Sequence, residues 1–202
     1  MASPSPPSQQ QSNILTVDIE DSIRQLSEAA YGSHYLVRYS EIPVWRTIYS
    51  STVKQFLEED NNIVLVVPFY ESTSQVRQVL LKELADLEQY EKDGSLAIID
   101  SIKAYFSEIG LMTFVDGLLK HAKSAGKTGL SVFADMGSFH HMQKMHQLLE
   151  HEISLPAKYD AKLRGFCIYN QGNFATFTEL QKQSIYEHHG KNLLVSSSFS
   201  QL

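Results

Sequence analysis

The sequence predicts an α/β fold with a mostly parallel central sheet of about five to six strands and helices on both faces. Two observations predict it. Short apolar segments typical of strands alternate with longer segments whose apolar residues recur at helical spacing. One predicted strand, residues 62–69, carries an unbroken apolar run, as expected of a strand covered on both faces. Strands that alternate with helices form right-handed βαβ units and build a parallel sheet.

The first predicted elements are a short helix at residues 19–29, a strand at His34–Tyr39 and a helix at residues 43–59. Pro43 suits the first turn of that helix, where a missing amide hydrogen is tolerated. The residues that recur at helical spacing are Val44, Ile48, Thr52, Phe56 and Leu57.

The middle of the chain repeats this alternation. After the strand at residues 62–69, Ser72 and Gln75 form a capping-box pattern that predicts the start of a helix, with Val76, Leu80, Leu84 and Leu87 facing the core. The remaining elements predicted here are a strand at residues 96–100 and helices at residues 102–106 and 111–125.

The last third adds the remaining strands and a second capping box. Thr178 with Gln181 predicts the start of the final helix. The other elements predicted here are strands at residues 129–135 and 164–170, a helix at residues 139–150 and a candidate sixth strand at residues 192–195.

No internal repeat and no strong linker interrupts this order, so a single domain is predicted at residues 14–195. Residues 1–13, rich in Ser, Pro and Gln, and residues 196–202, rich in Ser, are predicted to be flexible tails. The N-terminal segment lacks the features of a signal peptide, and the longest apolar run is too short to cross a bilayer. The single cysteine fits a reducing compartment. A cytoplasmic location is therefore predicted.

The charge of the chain argues against nucleic acid as a direct partner. The formal net charge is −6, and Lys and Arg are scattered singly. Binding to phosphates requires clustered basic residues. We therefore expect neither a nucleic acid nor a membrane as a partner.

The carboxyl ends of the predicted strands form the candidate binding site. Ligands of open parallel sheets bind outside these ends. Trp45, the only tryptophan, lies just inside the first long helix and flanks the same edge. The cleft residues predicted to contact a ligand are Tyr39, Trp45, Tyr70, Asp100, Asp135 and Tyr169. Aromatic walls with a few polar groups favour a small neutral or cationic, largely apolar molecule. The alternative is that the acids only cap the helices that follow.

A nucleotide-hydrolysing site is not predicted. A phosphate-binding loop needs glycine amides and a lysine after the first strand, and residues 40–45 contain neither. His151 and Glu152 begin a segment similar to the phosphoacceptor box of histidine kinases, but no long dimerisation helix or ATP domain accompanies it.

Metal and catalytic sites are not predicted either. His140, His141, His146 and His151 are not spaced to place two ligands well on one helical face. Cys167 lies in mid-strand, where a buried, inert thiol is expected. The sequence therefore predicts no metal, no cofactor and no enzymatic activity.

Beginning at Gly32, the sequence resembles a known family. Gly32, His34 and Tyr39 match the opening Gly-x-His and apolar strand of the MEDS domain, the sensory domain of methanogen and methylotroph regulators. The resemblance continues through residues 93–100, 127–136, 149–156 and 167–169, and covers about residues 19–195. This sequence has Asp135 where family members often have Glu, and Asn170 where they often have Asp.

This resemblance implies a relative of the RecA and KaiC fold without its phosphate loop. It also implies a sensor of small molecules, proposed to include hydrocarbon derivatives, found alone or fused to histidine kinases and DNA-binding domains. The partner of a stand-alone member would be a separate histidine kinase or transcription regulator. His34 belongs to the matched motif and is a candidate ligand-binding residue, yet it begins its strand at the end opposite the cleft. A structural bond from His34 to a neighbouring turn is the alternative.

Three functions remain open at this point. The first is a non-catalytic domain that senses a small molecule. The second is a degenerate nucleotide-binding protein that does not hydrolyse its ligand. The third is a protein-interaction module, and a homodimer is expected by analogy and because two-fold dimers are the commonest oligomers.

Overall fold

The computed structural model describes residues 14–196, which form one sheet of seven parallel strands with helices on both faces. The strands are β1 (Ile14–Val17), β2 (His34–Tyr39), β3 (Ile63–Val67), β4 (Leu96–Ile98), β5 (Leu130–Asp135), β6 (Leu163–Asn170) and β7 (Lys191–Val195). The helices are α1 (Ile19–Ser27), α2 (Ile42–Glu58), α3 (Thr73–Leu80), α4 (Leu87–Lys92), α5 (Ser101–Phe106), α6 (Gly110–Ser124), α7 (Gly137–His141), α8 (Met145–Ser154), α9 (Gln171–Ala175) and α10 (Glu179–Glu187).

The predicted α/β class and parallel sheet are confirmed, with one strand more than expected. The strand order is β1-β7-β2-β6-β5-β3-β4. The additional strand is β1, which pairs with β7 at the edge of the sheet. Three of its four residues are exposed, and it directly follows the polar segment at residues 1–13. The predicted tails are residues 1–13 and 196–202. Of these residues, only Ser196 lies within the described part of the chain.

The predicted starts of the helices agree with the structure better than the predicted ends. Both capping boxes are present, on α3 at Ser72 and on α10 at Thr178. The helix predicted at residues 139–150 is two helices, α7 and α8, because Gln143 between them adopts a left-handed conformation with a φ of 55°. Within residues 14–196, no helix combines the length and the apolar character needed to span a bilayer.

The sheet separates two apolar layers, because successive side chains of a strand point to opposite faces. We call the layer formed with α1 to α4 the front face and the layer formed with α5 to α10 the back face. On the front face, Phe56, Phe133 and Phe166 are buried and lie within 6.2 Å of one another, ring centre to ring centre. Burying each ring stabilises the fold by roughly 1.5–3 kcal/mol.

The connections that follow the adjacent strands β3 and β5 lead in opposite directions. β3 continues outward to β4, whereas β5 continues to β6 in the opposite direction. Adjacent strands with such diverging connections leave a crevice outside their carboxyl ends, the usual place for a ligand in an open α/β sheet. The fold therefore positions a candidate site at Val67 and Asp135.

Candidate functional site

A small cavity, which we call the front-face cavity, lies at this crevice and is lined largely by residues of the front face. Its volume is about 20 Å³, enough for one water molecule. Its walls come from the carboxyl ends of β2, β3 and β5, the loop after β3, the start of α2 and residues of α3 and β6. The lining residues are Tyr39, Ile42, Trp45, Tyr49, Val66, Val67, Pro68, Phe69, Tyr70, Glu71, Val76, Phe133, Asp135 and Ile168. Four of the predicted cleft residues, Tyr39, Trp45, Tyr70 and Asp135, thus share one cavity.

The inner wall of the cavity is a pair of stacked aromatic rings. Tyr39 ends β2 and Trp45 lies one turn into α2, with ring centres 5.7 Å apart and planes 18° apart. Tyr39 is fully buried, yet its hydroxyl has no hydrogen-bond partner among the described residues. Burial raises the pKa of this hydroxyl, and the nearby Asp135 carboxylate raises it further. The hydroxyl is therefore neutral and free to bond to a molecule in the cavity.

Asp135 supplies the carboxyl group of the cavity. It ends β5, is 5% exposed, and accepts a hydrogen bond of 2.8 Å from the Gly137 amide. Burial raises its pKa to about 7; the amides of Gly137 and Phe69 oppose that rise, and the Glu71 charge adds to it. Near neutral pH, Asp135 can therefore donate or accept a hydrogen bond.

Glu71 is the second carboxylate, and it is paired. Arg46 on α2 donates a hydrogen bond of 2.7 Å to the buried Glu71 side chain. The Tyr49 hydroxyl lies 3.5 Å from the other carboxylate oxygen, and burial, followed by the charge of Glu71, raises the pKa of that tyrosine. Since Arg46 neutralises Glu71, Asp135 is the only unpaired ionisable carboxyl group among the lining residues.

Tyr70 forms the outer wall. It is 37% exposed, and its hydroxyl accepts a hydrogen bond from the Asn173 side chain of α9. Burial, with the Asp135 charge, raises the pKa of Tyr70 to about 12. Gly137 makes this arrangement possible, because a Cβ atom there would lie 2.5 Å from Phe69 and 2.8 Å from Tyr70.

The other three predicted residues lie elsewhere. Asp100 accepts a hydrogen bond of 3.1 Å from the Lys103 amide and caps α5, beside the edge strand β4. The Tyr169 side chain belongs to the back face and donates a hydrogen bond to Glu152. His34, at the start of β2, contacts the Pro156 carbonyl oxygen with its Nδ1 at 2.9 Å. That contact is the structural bond to a neighbouring turn considered above.

The sequence interpretation missed some of the lining residues. Tyr49 lies four residues after Trp45 on the same helix, a spacing that places both on one face and could have identified it. Val76 and Phe133 carry no chemical signal that distinguishes a cavity wall from ordinary core.

The start of α2 does not resemble a phosphate site. The helix follows Glu41, which makes no side-chain capping bond, and Pro43 in its first turn has no amide hydrogen to offer. A carboxylate and a missing donor both disfavour an anion at a helix N-terminus.

The sequence was compared with models of known protein families. The model of a family described as "MEDS: MEthanogen/methylotroph, DcmR Sensory domain" matches residues 33–184, which is most of the chain. No curated protein matches this sequence significantly.

Proposed function

This chain belongs to the MEDS family of sensory domains, and from that premise we propose that it binds a small molecule in the front-face cavity as a signal. The observation that carries the proposal is the unpartnered, buried Tyr39 hydroxyl lining the same aromatic cavity as Asp135. A buried polar group without a partner is costly. A ligand with one polar end would remove that cost.

The ligand class follows from the walls. Apart from the paired Glu71, the polar side-chain groups are tyrosine hydroxyls, the indole N–H of Trp45 and Asp135, whose pKa burial raises to about 7. An anion would be repelled by the ionised carboxyl group, whereas an alcohol, a ketone or an amine could bond to it. The ligand is a small, largely apolar molecule that is neutral or cationic.

Binding requires the cavity to open. Its volume of about 20 Å³ is far below the roughly 300 Å³ or more typical of ligand pockets. Tyr70 is the wall residue best placed to move, because its side chain is partly exposed. Its hydroxyl is bonded to the Asn173 side chain of α9, so a movement of Tyr70 would break that bond. Moving Tyr70 would release α9, and so carry the presence of a ligand to the back face.

The lining residues support binding without catalysis. They include no serine, cysteine, histidine or lysine that could act as a nucleophile beside a base. The output would then be a conformational change read by a separate histidine kinase or transcription regulator.

A screen by thermal unfolding tests the proposal. Short alcohols, ketones and alkyl amines should raise the melting temperature, and phosphates and short carboxylates should not. At a hundredfold excess over Kd, the expected stabilisation of about 2.7 kcal/mol corresponds to roughly 5–10 °C. Asp135→Asn should reduce the shift, while Asp116→Asn, an exposed position on α6, should keep it. Equal shifts in both variants would contradict the proposed site.

Self-association is a second expectation of this proposal. Within residues 14–196, β1 lies at the edge of the sheet with one side unpaired, and Ile14 and Leu15 on it are exposed. An exposed edge strand favours pairing with another chain. Light scattering should give about twice the chain mass of 22.9 kDa; the monomer mass at high concentration would contradict a dimer.

A further inference from the structure

Four potential metal ligands converge on the back face, away from the cavity. They are His34 at the start of β2, Glu152 on α8, Cys167 in the middle of β6 and His189 after α10. All four side chains are buried, and one ligand atom from each lies within 4.8 Å of the others. Four separate segments of the chain thus bring two imidazoles, a thiol and a carboxylate to one point.

Backbone carbonyl groups orient both imidazole rings. The Nδ1 atom of His34 lies 2.9 Å from the Pro156 oxygen, and that of His189 lies 2.7 Å from the Ile185 oxygen. A carbonyl oxygen only accepts, so each Nδ1 carries the hydrogen and each Nε2 has a free lone pair. Metal-binding histidines are typically held in this way by a carbonyl or carboxylate on the other ring nitrogen.

The lone pairs point into the cluster. The Nε2 atom of His34 lies 3.2 Å from the Cys167 sulfur, and that of His189 lies 3.4 Å from Oε2 of Glu152. Within a tetrahedral zinc site, ligand atoms are roughly 3.4–3.6 Å apart, given Zn–N and Zn–S bonds of about 2.1 and 2.3 Å. The His189–Glu152 contact has that spacing, and the His34–Cys167 contact is somewhat shorter, so the sulfur and the imidazole would move slightly apart around the ion.

One pair of atoms in the cluster is unsatisfied. The Cys167 thiol can donate its hydrogen to His34, but the His189 Nε2 and the Glu152 Oε2 have no hydrogen-bond partner within the described part of the chain. Two acceptors that face each other in the interior are costly. A cation between them satisfies both.

The carboxylate is held in place from its other side. Tyr169 donates a hydrogen bond to Oε1 of Glu152, which leaves Oε2 to face the cluster. The ring of Tyr159 lies 5.0 Å from that of His34, and the missing side chain of Gly165 leaves room for it. The neighbouring residues thus fix the donors rather than compete with them.

We propose that His34, Glu152, Cys167 and His189 bind one Zn²⁺ ion. Two imidazoles, a thiolate and a carboxylate are donors that zinc accepts, and the two negative charges match the ion. Binding would release the Cys167 proton to solvent and form the sulfur–zinc bond. Four protein ligands would occupy all coordination positions of a tetrahedral Zn²⁺ ion and leave none open for a substrate. The site is therefore structural, and it joins α8 and the end of α10 to the sheet.

Metal analysis and cobalt substitution test this site. The full chain should bind one Zn²⁺, and Co²⁺ in its place should show a thiolate charge-transfer band in the near ultraviolet. Cys167→Ser should remove that band, and both Cys167→Ser and His189→Gln should lower the affinity at least tenfold. Tyr169→Phe should lower it about 10–100-fold, as loss of a group that orients a ligand does. His188→Gln, next to the cluster but not in it, is the matched control and should bind like the wild type.

The single cysteine gives a second readout that does not depend on any variant folding. Zinc should protect Cys167 from a thiol reagent, and a chelator should make it more reactive. A protein without zinc, cobalt or protection would overturn the proposal. So would metal binding that survives in Cys167→Ser and disappears when His140, His141 and His146 are replaced together. Neither result would affect the front-face cavity.

Discussion

Burial moves the pKa of Asp135 into the neutral pH range. Burial raises its pKa from the ordinary value of 3.8 to about 7, so the folded protein keeps a proton that the unfolded chain has lost. Stability should therefore fall as the pH rises from about 4 to about 7, and then level off. The cost at pH 8 is on the order of 4 kcal/mol.

Asp135→Asn should remove this dependence. The asparagine oxygen can still accept the bond from the Gly137 amide, so the variant should gain stability relative to wild type as the pH rises from 5 to 8. Urea unfolding at both pH values measures the difference. Asp116→Asn should show no such change, and a constant difference between Asp135→Asn and wild type would contradict the account.

Two buried tyrosines should respond oppositely to loss of their hydroxyl groups. Tyr39 has no partner in the described structure, so Tyr39→Phe should be neutral or stabilising by up to about 1–2 kcal/mol. Tyr169 donates to Glu152, so Tyr169→Phe should cost about 1–3 kcal/mol. Chemical denaturation compares the two. A greater loss for Tyr39→Phe would mean that its hydroxyl already has a partner.

At the residue scale, part of the site follows from the sequence. Tyr39 and Asp135 end β2 and β5, and Tyr70 lies in the loop after β3; the carboxyl ends of parallel strands all lie on one side of the sheet. Successive side chains of a strand point to opposite faces of the sheet, and the sequence does not show which of them faces the cavity. In β6, Ile168 faces the cavity and Tyr169 points to the back face. The back-face cluster gives no local pattern, because its four members come from distant segments.

At the element scale, the start of the short helix α7 packs closely against the outer wall of the cavity. Gly137 begins it, against Phe69 and Tyr70, so Gly137→Ala should force these rings apart and cost about 1–3 kcal/mol. Gly117→Ala in α6 meets nothing within 4 Å and should stabilise by about 0.5–1 kcal/mol. Thermal unfolding of both variants checks the pair, and similar gains in stability would contradict close packing at Gly137.

Local chemistry determines how much of each element the sequence predicts. The capping boxes at Ser72 and Thr178 mark helix starts, because side-chain bonds to the first amides are local. The break at Gln143 carries no glycine or proline to signal it. β1 is recognised as a strand by its pairing with β7, which lies at the other end of the sequence, and no local pattern indicates that pairing.

At the scale of the whole molecule, alternation along the chain predicts the class but not the order of the strands. The divergence of β3 and β5 creates the crevice, and only the strand order reveals it. The same sheet places the proposed zinc cluster on its back face. Sensing and structural stabilisation can thus use opposite sides of one sheet.

The fluorescence of Trp45 tests the central claim most directly. It is the only tryptophan in the chain and lines the front-face cavity, so its emission reports occupation of that cavity. A neutral or cationic molecule from the screen should shift or quench the emission saturably. Asp135→Asn should weaken the apparent affinity about tenfold, and Asp116→Asn should leave it unchanged. A molecule that stabilises the protein without altering Trp45 emission, and binds both variants equally, would contradict ligand sensing at this site.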